Sequence, residues 1–209
     1  MVAGLAGLGA GWITFVPLRT WAVLQVALVA MALPAGWSIL RYTGLWQRGM
    51  GQSAFLTNGM TSALKGFGQG ILLAVPWALS GIVMGGSNKD RWVHSWWQPI
   101  AAIEPGIMEE ACWRVLLVSL LFVILRRVAR ARTALTTAVV VMAYWFAYLH
   151  TRGGFDSMFS TLLIGTLYSL PISYLWLRRD LETAMGFHFW MDFVRFGAAY
   201  FMNKGLWFT

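Results

Sequence analysis

Two adjacent glutamates and an arginine, Glu109, Glu110 and Arg114, stand inside the apolar run Ile107–Leu117. An ionised side chain at the centre of a bilayer costs roughly 2.5–3.5 kcal/mol on insertion scales, so groups of this kind are kept where they are used. Two further sets follow on later apolar stretches. His150 closes the run Tyr144–His150, and His188, Asp192 and Arg195 lie along a single aromatic segment. A carboxylate and an imidazole can activate water as a general base. A second His/Asp pair can bind a metal or stabilise an oxyanion. The combination suits hydrolysis of an amide bond inside a membrane. The chain carries no GxSxG elbow, HExxH or P-loop.

Helical spacing gives these residues different tasks. Glu110 and Arg114 are i and i+4 with the acid first, the favourable order for an ion pair. Glu109 points about 100° away and has no such partner. Glu110 is thus neutralised on its own helix, and Glu109 is left for chemistry. The competing reading is that both acids form structural ion pairs only. His188 and Asp192 are also i and i+4, with Arg195 at i+7, which makes one polar stripe that must face other polar groups. A lone histidine such as His150 more often hydrogen-bonds at an interface than catalyses.

The elements that must hold these residues are membrane helices. Of 209 residues, 58% are hydrophobic and only 11% are charged, with mean hydropathy +0.62. That is a membrane composition. The expected architecture is all-α, a polytopic transmembrane bundle of six to seven spans in a single membrane domain over 1–209. Six spans are expected near 21–40, 68–86, 104–125, 133–150, 155–177 and 183–202. Residues 1–18 are a candidate seventh. The glycine-rich stretch Arg41–Gly70 reads as a loop with an interfacial helix, and Trp92–Pro99 as a Trp-rich interfacial segment.

The net charge of +8 is explained by loops rather than by nucleic acid, because no basic face with interleaved aromatics is present. Arg41, Arg48, Lys65, Arg126, Arg127, Arg130, Arg132, Arg178 and Arg179 collect on one side. Lys89, Arg91, Arg152 and Lys204 collect on the other. The first side is expected to be cytoplasmic. One cysteine, Cys112, excludes an intramolecular disulfide and reads as a small apolar filler. The N-terminus lacks the basic region of a cleaved signal peptide, so insertion is expected to rely on the helices themselves.

Taken in order, Glu109-Glu110-x-x-x-Arg114, Phe146-x-x-x-His150 and His188-x-x-x-Asp192 resemble the three-part signature of the CAAX protease and bacteriocin-processing (CPBP, or ABI) intramembrane proteases. These are relatives of the type II CAAX prenyl endopeptidases. The resemblance covers about 104–200, read as the catalytic core. It implies an α-helical membrane core with a recessed active site. It implies that Glu109, with His150, activates the attacking water, and that His188 and residue 192 support the oxyanion. Glu110, Arg114, Phe146 and Arg195 are the supporting residues. The implied substrate is a peptide or membrane-anchored protein, the surroundings are membrane lipid, and the location is a bacterial or archaeal plasma membrane. The family is commonly called metalloprotease, and zinc or another divalent metal on His150, His188 and Asp192 stays open.

The last motif position is often Asn in CAAX-processing members, whereas Asp192 stands here. Asn can donate to an oxyanion and an ionised Asp cannot. Asp192 has three open fates: protonation, pairing with Arg195, or metal ligation. Helix levels raise a further condition. Counted along straight spans, His188 lies about 10 Å from the level of Glu109 and His150; tilt, or recession of Arg152-Gly153-Gly154 into the protein, would have to close that gap. Two other functions compete with proteolysis. One is a non-catalytic scaffold or bacteriocin self-immunity protein with the same fold. The other is a small transporter or proton channel, which would be expected to show Gly/Pro-broken helices in two matching halves.

Overall fold

A computed structural model describes residues 19–44, 59–83, 90–151 and 155–204. The candidate span at 1–18, Arg48, Lys89 and Arg152-Gly153-Gly154 lie outside the described residues. Among those described, every regular element is helical. They are α1 (Arg19–Tyr42), α2 (Gly59–Val83), a 3-10 turn (Gln98–Ala102), α3 (Ile103–Glu109), α4 (Ser119–Leu125), α5 (Ala131–Thr151), α6 (Phe155–Ile164), α7 (Leu170–Arg178) and α8 (Leu181–Asn203). A π-helical segment, Glu110–Val118, joins α3 to α4, and a shorter one, Gly165–Ser169, joins α6 to α7. The result is six rods.

Five of the expected spans coincide with rods to within a few residues. The sixth differs at its start. The stretch up to Gly70, expected as a loop with an interfacial helix, is from Gly59 continuous with the expected span, and Lys65 therefore sits within a helix rather than a loop. The glycines there serve packing. A Cβ on Gly70 would meet the backbone of Gly186 and Phe187, and one on Gly186 would meet the backbone of Phe67. Small residues on facing helices let the backbones touch, which is how helices associate where no hydrophobic effect drives them. Composition alone cannot separate such a packing face from a flexible loop.

Helix α8 is the central rod. Asp180 caps its start, accepting from the Thr183 amide and satisfying one of the amides that a helix N-terminus leaves bare. Residues 181–189 are buried without interruption. Leu181, Ala184, Met185 and Phe187 join the main core with Val115, Val118, Ile172 and Trp176. A smaller cluster of Val93, Ala102, Phe189, Phe196 and Ala199 packs the stretch before α3 onto the far half of α8. Among the described residues, two stretches, Ala131–Thr151 and Ser157–Arg178, are long and apolar enough to cross a membrane.

Candidate active site

The polar residues picked out from the sequence converge at the junction of α3 and the longer π segment. Glu109 closes α3 and Glu110 opens the π segment. A π turn inside an α-helix often marks a functional position. The i,i+4 relation survives it: Arg114 Nε lies 3.2 Å from Glu110 Oε2. Both side chains are buried, at 1% and 0% relative exposure. Buried charges must be paired, and these are, although Glu110 Oε2 and Arg114 Nη1 make no hydrogen bond.

Arg114 is held from two further directions. Its Nη2 donates to Ser169 Oγ at 2.9 Å and reaches the Ser169 carbonyl at 3.4 Å. Its guanidinium lies over the Phe146 ring, 4.9 Å from the centroid. Phe146 in turn lies tilted against the His150 ring at 4.1 Å and presents an edge-to-face contact to His188 at 6.3 Å. The aromatic member of the second motif therefore touches the arginine of the first and the histidine of the third.

His188 is fixed through its Nδ1, 2.7 Å from Glu110 Oε1. Glu110 is the carboxylate partner of Arg114, so it accepts and Nδ1–H donates. This leaves Nε2 facing two other acids, Glu109 Oε2 at 3.7 Å and Asp192 Oδ2 at 3.6 Å. His150 is fixed in a parallel way. Its Nδ1 sits 2.9 Å from the Phe146 carbonyl, which can only accept, and its Nε2 stands 3.6 Å from Glu109 Oε1. Each Glu109 oxygen thus faces the Nε2 of one histidine. These separations exceed a direct hydrogen bond. Glu109 Oε2 is buried with no hydrogen-bond partner, and an unsatisfied buried carboxylate oxygen calls for a functional explanation.

The expected gap in level does not exist, since His188 and His150 meet on one glutamate. Of the fates open to Asp192, the geometry shows pairing: Arg195 Nη1 lies 3.3 Å from Asp192 Oδ1. Arg195 Nε is also 3.0 Å from Asp90 Oδ2. No group of three or more His, Cys, Asp or Glu side chains among the described residues is arranged to hold an ion. Asp192 gives Oδ1 to Arg195 and keeps Oδ2 toward His188 Nε2.

Two residues of this network carry no warning in the sequence. Ser169 lies in an apolar rod where a serine is unremarkable, and only its exposure to Arg114 distinguishes it. Asp90 belongs to a polar connection, where an acid is ordinary. Its 3% exposure is the signal, and burial is tertiary information.

No curated protein and no solved structure matches the chain. The family model described as type II CAAX prenyl endopeptidase Rce1-like matches residues 91–194, a span that contains all three motifs. With that match and that geometry in hand, the chain belongs to the CAAX protease (CPBP) family, and its family and its two long apolar helices fit a membrane protein.

Proposed function

We propose that this protein is an intramembrane endopeptidase that hydrolyses a peptide bond in a membrane-associated or prenylated-type protein or peptide. The observation that carries the reading is Glu109 set between two imidazoles, Oε1 toward His150 Nε2 and Oε2 toward His188 Nε2 at 3.6 and 3.7 Å. In the proposed reaction, water held by Glu109 and His150 Nε2 gives a proton to Glu109, and its oxygen attacks the scissile carbonyl carbon. His188, as the imidazolium with its Nδ1–H given to Glu110, donates Nε2–H to the oxyanion that forms. The C–N bond then breaks, and the proton on Glu109 passes to the leaving amine. Asp192, an acceptor here, orients His188 instead of donating to the oxyanion. Glu110 and Arg114 hold His188 from its other side. His150 has a partly exposed side chain, 42% against 16% for Glu109, which supports entry of water and substrate from its side.

The proposed setting is a polytopic bundle of six to seven spans in a bacterial or archaeal plasma membrane. The arginines of 126–132 face the cytoplasm, following the bias of basic residues toward that side. The test is cleavage of peptide and prenylated-peptide probes by purified protein in detergent. Wild type is compared with Glu109→Ala, His150→Ala and His188→Ala. Cleavage by wild type alone supports the reading. Equal turnover in all four, or none by a folded wild type, rejects it in favour of a non-catalytic scaffold.

A further inference from the structure

The segment before α3 is strapped across the far half of α8, and it reaches the site. Val93 is fully buried against Phe189, Phe196 and Ala199. Trp92 meets the Phe196 ring edge-on at 5.0 Å. Asn203, in the last turn of α8, donates its side-chain amide to the carbonyls of Asp90 at 3.2 Å and Val93 at 2.8 Å. The backbone of Asp90 is therefore pinned, and its side chain is aimed. Asp90 Oδ2 takes the Nε edge of Arg195 at 3.0 Å, while Nη1 of the same guanidinium takes Asp192 Oδ1 at 3.3 Å. The other Asp192 oxygen stands 3.6 Å from His188 Nε2.

Resting on the proteolytic reading above, we infer that Asp90 is a positioning residue for the reaction, acting through Arg195 and Asp192 on His188. The argument is geometric. Arg195 carries a planar fork whose edges are not interchangeable. Its side chain is 37% exposed, so water competes for it. A buried acid beside Nε holds that edge inward by charge attraction, without a directional hydrogen bond, and leaves Nη1 toward Asp192. That contact holds one Asp192 oxygen and leaves the second directed at the imidazole. Without Asp90, the guanidinium is free to turn outward along the face of Phe196, over which it already lies at 4.9 Å. Asp192 then loses the contact that sets its rotamer. The residue sits outside all three motifs, on a connection that precedes the first of them.

The experiment is a double-mutant cycle on kcat and KM with a peptide that wild type cleaves: wild type, Asp90→Asn, Asp192→Ala and the double variant. Asp90→Asn is expected to lower kcat about tenfold with KM within about twofold, and to cause no further loss once Asp192 is gone. Asp90→Glu should recover part of the rate. An unchanged kcat in Asp90→Asn, or losses that multiply in the double variant, would overturn the inference. If Asp90→Asn does not fold, Arg195→Gln replaces it in the same cycle, and multiplying losses there overturn the inference equally. A wild type that cleaves nothing refutes the parent reading instead, so the two failures are told apart.

Discussion

His188 Nδ1 lies 2.7 Å from Glu110 Oε1, although the two residues are 78 apart in the chain. Glu110 therefore serves two cations from two helices, Arg114 on one oxygen and His188 on the other. The second glutamate of the pair ties the two helices together at the site, and the first faces the two imidazoles.

Replacing Glu110 tests that division. Glu110→Gln leaves Arg114, at 1% exposure, without the carboxylate it pairs with one turn away. Removing one member of a buried ion pair typically costs about 3–5 kcal/mol, because the remaining charge stays desolvated. The variant is expected to unfold at clearly lower temperature in detergent and to lose turnover with it. Wild-type thermal stability in Glu110→Gln would show that the pair is not structural.

Glu109→Gln should behave in the opposite way. Its Oε2 accepts no hydrogen bond, and its contacts with the two imidazoles are loose, at 3.6 and 3.7 Å. The amide keeps the volume and removes only the base. Stability is expected to stay within about 1 kcal/mol of wild type, as for changes that break no structural interaction. Turnover should fall by about 10²–10⁴-fold, the usual worth of a positioned general base. Parallel melting curves and initial rates decide it. A matched fall in both would make Glu109 a structural residue.

How far the sequence spoke can be judged from these same residues. The Glu110–Arg114 pair was legible because i and i+4 share a helix face whatever the helix packs against. The isolation of Glu109 followed from the same geometry. The choice of Asp192 for Arg195 was one of three readings, since spacing on one helix cannot rank an ion pair against a metal. The contact between Glu110 and His188 was not legible, because it depends on how two rods cross. Nor was the π segment, whose widened turn leaves no mark in composition. The start of α2 was placed late, in a loop with an interfacial helix, because Gly66 and Gly70 give no sign of packing until Thr183, Gly186 and Phe187 are laid against them.

Ser169 supplies a third test. Its hydroxyl accepts from Arg114 Nη2 at 2.9 Å in a fully buried place, and a hydrogen bond to a charged group is worth about 1.5–3 kcal/mol. Ser169→Ala should lose about that much stability. It should reduce turnover less than Glu110→Gln does, because Glu110 still holds Arg114 Nε and His188 Nδ1. Ser169→Thr retains a hydroxyl and is expected to recover most of the loss. Equal damage from Ala and Thr would point to packing in the π segment and not to the hydrogen bond.

Gly70 asks whether the crossing of α2 and α8 sets the site. A Cβ there meets the backbone of Gly186 and Phe187, and backbone cannot yield as a side-chain tip can. His188 follows Phe187 directly, so any shift of α8 away from α2 moves the imidazole relative to Glu109 and Glu110. Gly70→Ala is expected to cost about 1–3 kcal/mol through overpacking. Because a displacement of about 1 Å at reacting groups can cost about 10²-fold, turnover should fall further than the stability loss alone explains when assayed well below the melting temperature. Gly68, where a Cβ meets nothing within 4 Å, is the control: Gly68→Ala removes the same backbone freedom, lies two residues away on the same helix, and should leave both quantities near wild type. If the two alanine variants prove alike in rate, the close approach of α2 does not position His188.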